Sequence, residues 1–213
     1  MRMTGSQVIK AVVFDLGGVL LRLRDPVAQF GLEMAPGEFH RRWLLSPAVR
    51  EFERGAIDQE AFARAMVGEL ALPIQWPAFL ERFDAWPECV FPDALPVLDA
   101  VPAGTKRGLL SNTNAVHWGR ADVAGLLACR FDHTFLSFET GLLKPDRESF
   151  TQVSREFGCE ASEILYFDDN PLNVEAANET GMQAHLAGCP GDAARVISRL
   201  QEPHCGRLPR TGP

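Results

Sequence analysis

The chain has 213 residues, 46% of them hydrophobic and 23% charged, which is the make-up of a folded globular protein and excludes a disordered one. A formal net charge of -7 argues against a general nucleic-acid binder, so an anionic ligand needs a local positive site set against the global field. Five cysteines, odd in number and without a CxxC pair, read as reduced thiols rather than as a disulfide framework or a zinc site. Residues 1–7 are short and polar, and no apolar run could span a bilayer. The sequence therefore predicts a cytoplasmic protein with no membrane or nucleic-acid partner.

The first element is the apolar run Ala11-Val12-Val13-Phe14, expected of a strand buried on both faces of a parallel sheet. It ends in Asp15, followed by Gly17-Gly18, where a backbone can turn tightly beside a ligand. From about 22 to 91 strand-like runs vanish and prolines break the chain into short pieces. Asp58 can cap a helix that carries Phe62, Ala65, Met66 and Leu70 at helical spacing, and Phe79, Phe83 and Trp86 suggest another that closes before Pro87. Three of the four tryptophans (Trp43, Trp76, Trp86) fall here, enough to give a small helical insert its own core.

Strand and helix then alternate. Helices are expected at 93–101, 115–128, 147–157, 172–180 and 192–201, and strands at 107–111, 134–137, 164–167 and 183–186. Alternation of this kind implies βαβ units and a doubly wound parallel α/β sheet. The expected division is a core of 1–21 plus 92–201, a helical cap of 22–91, and a flexible tail of 202–213.

Three further stretches can carry chemistry. Ser111 and Asn112 in LLSNTN stand between a strand and a helix, where a hydroxyl and free backbone N–H groups suit a phosphate oxygen. Lys144 in GLLKPD is held extended by the following proline and could serve as a point charge for an anion. Asp168 and Asp169 in YFDDN put two carboxylates at a strand end, and like charges there repel unless a cation lies between them. With Asp15 they would form an oxygen-only cluster suited to Mg²⁺ rather than zinc.

In this order FDLGGVL, LLSNTN, LLKPD and YFDDNPLN resemble the four motifs of the haloacid dehalogenase-like (HAD) superfamily, with a C1-type cap inserted between the first two. ERGAIDQEAF and the LSNTN and FDDN spellings are most similar to bacterial sugar-phosphate phosphatases, of the glucose-1-phosphate type, in subfamily IA. The resemblance implies a Rossmann-like core and an Mg²⁺-dependent phosphatase acting on a small phosphorylated metabolite. Asp15 would be the nucleophile and form an aspartyl-phosphate. Asp15, the Gly17 carbonyl, and Asp168 or Asp169 would hold Mg²⁺, while Ser111, Asn112 and Lys144 would grip the phosphoryl group.

One departure matters. Gly17 stands where most such phosphatases carry an Asp that works as general acid, and losing such a group costs about 10²–10⁴-fold. That predicts a good leaving group, such as a sugar hemiacetal oxygen, a phenol or an acyl group, or an acid supplied from elsewhere, with His117 or Asp25 as candidates. On a predicted helix beside Trp118, His117 reads first as packing or surface. Asn173 replaces an acid that some relatives carry and could hold a metal-bound water. Two other readings fit parts of the pattern. A non-catalytic domain that binds a phosphometabolite or partner protein is favoured by Gly17. Metal-free haloacid dehalogenase chemistry is opposed by the Asp168-Asp169 pair.

Overall fold

The computed structural model describes residues 8–200, so the tail expected at 202–213 lies outside the described residues. Its strands, in chain order, are β1 (Ala11–Phe14), β2 (Leu21–Leu23), β3 (Pro87–Val90), β4 (Lys106–Ser111), β5 (His133–Leu136), β6 (Ile164–Asp168) and β7 (Gln183–Leu186). Five of them form a parallel sheet in the order β5-β4-β1-β6-β7. All four residues of β1 are buried because the pleat sends them alternately into two cores. Val12 and Phe14 join Leu109, Leu165, Phe167 and Ile197 on one face, and Ala11 and Val13 join Leu110, Phe150, Val153 and Tyr166 on the other. Helices cover both faces, which is why the strand reads as an unbroken apolar run rather than an alternating one. From β1 the chain builds outward through β4 and β5, then returns to lay β6 and β7 on the other side. The reversal opens a crevice at the carboxyl ends of β1, β4 and β6.

The helix expected at 147–157 forms as Arg147–Phe157, with Phe150, Val153 and Phe157 buried on one stripe. The one expected at 172–180 forms as Pro171–Glu179, capped by Asn170, and Gly181 at φ 98° turns the chain away. The helix expected at 115–128 is broken into Ala115–Trp118 and Ala124–Leu127. Gly119 weakens it there, and Arg120 holds the intervening turn by donating to the Asp84 carbonyl (2.5 Å) and to Asp122 (2.7 Å).

Between β2 and β3 run the helices Pro26–Phe30, Pro36–Leu45, Pro47–Glu53, Gln59–Glu69 and Trp76–Asp84. The prolines that fragment this stretch in sequence start its helices: Pro26, Pro36 and Pro47 stand at first positions, where a missing N–H costs nothing. Ser46 and Asp58 cap two of them by accepting from Val49 N (3.2 Å) and Ala61 N (2.8 Å). Their apolar faces meet in a separate core of Phe30, Phe39, Phe52, Phe62, Phe79, Phe83 and Trp86. Phe52 and Phe62 stack at 4.2 Å, and each fully buried ring contributes about 1.5–3 kcal/mol. Strands were not expected in this segment, yet β2 and β3 pair antiparallel where the chain leaves and re-enters the main domain. Being so short, with Arg22 in the middle of β2, they leave no apolar run to read.

Candidate active site

Strand ends assemble the site. Asp15 follows β1, Ser111 closes β4, Asp168 closes β6, and all three are buried. Lys144 comes from the loop after the helical turn Ser137–Thr140 and is only 3% exposed. Its Nζ lies 2.9 Å from Asp15 Oδ1 and 2.7 Å from Asp168 Oδ2, so one ammonium bridges two carboxylates. Asn112 fixes that loop: its Nδ2 donates to the Lys144 carbonyl (2.9 Å) and its Oδ1 accepts from Lys144 N (2.9 Å). The side chain expected to grip a phosphate thus holds the lysine in register and also lines the cavity.

Asp168 and Asp169 differ sharply. Asp168 Oδ2 receives Lys144 and the Tyr166 hydroxyl, and Oδ1 receives Asn170 N (2.8 Å). Asn173 Nδ2 lies 3.1 Å from both oxygens, so the Asn that replaces an acid holds Asp168 itself. Asp169 instead lies over Gly18, whose φ is 76° and where a Cβ would come within 2.2 Å of Asp169 Oδ2. Carboxylate oxygens of Asp15, Asp168 and Asp169 all lie within 4.8 Å of one another. An all-oxygen set of this compactness fits a hard divalent cation such as Mg²⁺.

Electrostatics agree. Burial, opposed by Lys144 and reinforced by Asp168 and Asp169, raises the Asp15 carboxyl to about 7. Burial and then Asp168 raise Asp169 to about 6. Burial alone would lower Lys144, but Asp15 and Asp168 outweigh it and hold the ammonium charged. Tyr166 is raised well above its ordinary value, first by burial and then by Asp168, so it donates as a neutral phenol. A bound divalent cation would favour the ionised carboxylates.

Above this floor lies a cavity of about 910 Å³, roofed by the helical segment. Its wall includes Leu21, Phe39, Trp43, Leu44, Val49 and Trp86. Leu45 and Leu172, 68% and 54% exposed, carry apolar surface out to the mouth. Gly17 also lines it, and a Cβ there would meet only Leu23 Cδ1, at 3.4 Å.

Neither residue suggested as a substitute acid is free. Asp25 caps the helix Pro26–Phe30 by accepting from Val27 N (3.1 Å) and is absent from the cavity wall. His117 is a packing residue: its ring stacks on Phe83 at 4.1 Å, Nε2 lies 2.8 Å from the Phe83 carbonyl, and Nδ1 lies 3.4 Å from Asn114 Nδ2. Burial lowers its pKa to about 4, so the ring is neutral. The residue that sequence reasoning missed is Glu53, the last residue of the helix Pro47–Glu53, which lines the cavity with Asp15 and Lys144. Burial raises its carboxyl to about 8, with Lys144 opposing and Asp15 adding. A carboxylate at a helix carboxyl terminus faces the negative end of the dipole, and that unfavourable placement was the available signal.

Glu53 is held by its neighbours. Arg50 and Arg54 both pair with Asp146, at 3.4 and 3.0 Å, in the loop that carries Lys144. Gly55, at φ 72°, lets the next turn approach so closely that a Cβ would lie 2.4 Å from the Phe138 carbonyl oxygen.

A sequence profile of the haloacid dehalogenase-like hydrolases matches residues 9–181. Enolase-phosphatase E1 of Clavispora lusitaniae is 25% identical over 166 residues, 77% of this chain; the chain spans 64% of that relative's length. Sesquiterpene phosphatase astK of Aspergillus oryzae is 26% identical over 177 residues, 81% of this chain and 87% of its own. Among solved structures, a HAD-like hydrolase from Porphyromonas gingivalis superimposes with TM-score 0.73 at 21% identity, covering 92% of this chain and 100% of its own. The Bacteroides thetaiotaomicron HAD enzyme bt-2542, solved with magnesium and inorganic phosphate, superimposes with TM-score 0.67 at 23% identity, covering 84% of this chain and 93% of its own.

Proposed function

Because the chain belongs to the haloacid dehalogenase-like hydrolase family, we propose that it is an Mg²⁺-dependent phosphomonoesterase that works through an aspartyl-phosphate. The observation that carries this reading is the Lys144 ammonium between Asp15 and Asp168 on the floor of a covered cavity. Asp15 is the nucleophile, and Lys144 and Ser111 hold the phosphoryl oxygens as charge builds on them. Mg²⁺ would be held by Asp15, the Gly17 carbonyl and Asp169, with Asp168 fixing the lysine from behind, since its oxygens are already engaged. Bound there, the cation would supply Lewis-acid screening, keeping the nucleophile apart from the negative phosphoryl oxygens. Two relatives named as phosphatases and the magnesium and phosphate bound by the Bacteroides enzyme support the assignment.

The wall of the cavity bears on the organic half of the ester. A sugar 1-phosphate is the expectation that the motif spellings and Gly17 suggest. Phe39, Trp43, Leu44 and Trp86 offer a sugar's hydroxyls few partners, and burying unsatisfied hydroxyls is costly. They favour a phosphate ester of an apolar aryl or terpenoid-like alcohol. Phosphate release should require Mg²⁺, disappear with EDTA, and fall to background in Asp15→Asn. Equal rates for that variant and wild type across a phosphate panel would remove the reading. Within the panel, 1-naphthyl phosphate should exceed glucose 1-phosphate in kcat/KM by about tenfold or more, and the opposite order would restore the sugar.

A further inference from the structure

Gly17 leaves no side chain beside the nucleophile to protonate a departing alcohol, and His117 and Asp25 are committed to packing and capping. In-line attack by Asp15 puts the leaving oxygen opposite the nucleophile, on the side of the cavity roofed by the helical segment. There the cavity's titratable and charged groups are Glu53, Arg50, Arg24, Arg41 and His40, facing Asp15, Lys144 and Asp169 across the floor. Arginine is always charged and has no proton to give. His40 is exposed, and its charge acts on Asp169. Glu53 is half-buried, and its strongest charged neighbours are Lys144 and Asp15 themselves. It forms no ion pair among the described residues, because Arg50 and Arg54, on either side of it, are drawn to Asp146. That leaves a carboxyl group on the cavity wall with no ion-pair partner among the described residues.

We infer that Glu53 is the general acid and base of this enzyme, supplied by the cap in place of residue 17. In the first step an Asp15 carboxylate oxygen bonds to phosphorus and the phosphorus–ester oxygen bond breaks. The electron pair stays on the ester oxygen, which takes the Glu53 proton and leaves as the neutral alcohol. In the second step water bonds to phosphorus, gives a proton back to the Glu53 carboxylate, and the phosphorus–Asp15 oxygen bond breaks. Inorganic phosphate and the starting enzyme result. Burial raises Glu53 to about 8, so the group stays protonated, and able to donate, at neutral pH.

The inference rests on the phosphatase reading, and its test separates the two. Benzyl phosphate leaves as a poor anion and p-nitrophenyl phosphate as a good one, so only the former depends strongly on a proton donor. In Glu53→Gln the ratio of kcat/KM for benzyl over p-nitrophenyl phosphate should fall by about 10²-fold. The loss should lie in kcat, and the fall in wild-type benzyl phosphate turnover above about pH 8 should be missing from the variant. Adding Gly17→Asp to Glu53→Gln should recover at least about tenfold of the benzyl activity, which a folding defect would not allow. Parallel losses on both esters, or the same selective loss in His40→Gln instead, would overturn the role of Glu53 while leaving the phosphatase reading intact. Absence of phosphate release by wild type from every ester would instead remove the phosphatase reading beneath it.

Discussion

At residue 17 the backbone has room for a side chain, since only the end of Leu23 stands near the Cβ position. Gly17→Asp should therefore fold. Because Glu53 already donates the proton, it should change kcat/KM for benzyl phosphate by less than about threefold in the wild-type background, against the gain of about tenfold or more in Glu53→Gln. A tenfold gain in the wild-type background would mean that Glu53 is not the proton donor there. Gly18 is the opposite case. Its φ of 76° is open to glycine, and an added Cβ would collide with Asp169 Oδ2 at 2.2 Å. Gly18→Ala should cost about 1–3 kcal/mol of stability and weaken Mg²⁺ binding by about 10–100-fold in calorimetric titration. Retention of wild-type metal affinity would take Asp169 out of the metal set.

At the scale of elements, Asp146 shows how the helix Pro47–Glu53 is tied to the main domain. It stands at the N-cap of Arg147–Phe157 but makes no side-chain cap hydrogen bond, because its carboxylate turns outward to Arg50 and Arg54. A capping bond contributes about 1 kcal/mol, so the helix start forgoes that stabilisation while the helical segment is anchored. These pairs are more than a third exposed and add at most about 1 kcal/mol of net stability. Asp146→Ala should thus leave urea unfolding within about 1 kcal/mol of wild type. It should lower kcat/KM for benzyl phosphate by roughly tenfold, through loosened positioning of Glu53. A large drop in stability with unchanged kinetics would assign Asp146 to folding alone.

Across the whole molecule, His117 links the sheet domain to the helical segment, reaching from the helix Ala115–Trp118 to the Phe83 carbonyl. Burial depresses its pKa from 6.5 to about 4, so the folded protein holds the ring neutral where an unfolded chain would protonate it. The resulting stabilisation is complete above about pH 6.5 and is lost as pH falls towards 4. Between pH 7 and 5 the loss should be on the order of 2 kcal/mol in urea melts, and His117→Gln should flatten it. Equal acid sensitivity in wild type and variant would point to other groups.

Much of the main domain was legible because its evidence is local. A buried strand announces itself as an apolar run, and Asp15, Ser111 and Asp168 each follow or end one, so the parallel βα order and the floor of the site could be read in line. Helices that bury one stripe, such as Arg147–Phe157, were equally readable. Tertiary contact alone decided the rest: that Asn112 holds the Lys144 backbone, that Asp168 is consumed by hydrogen bonds while Asp169 is not, that His117 packs, and that Glu53 faces Asp15. Each of these depends on partners brought together from distant parts of the chain. A carboxylate's role is set by which neighbours desolvate or neutralise it, and residues adjacent in sequence do not carry that information.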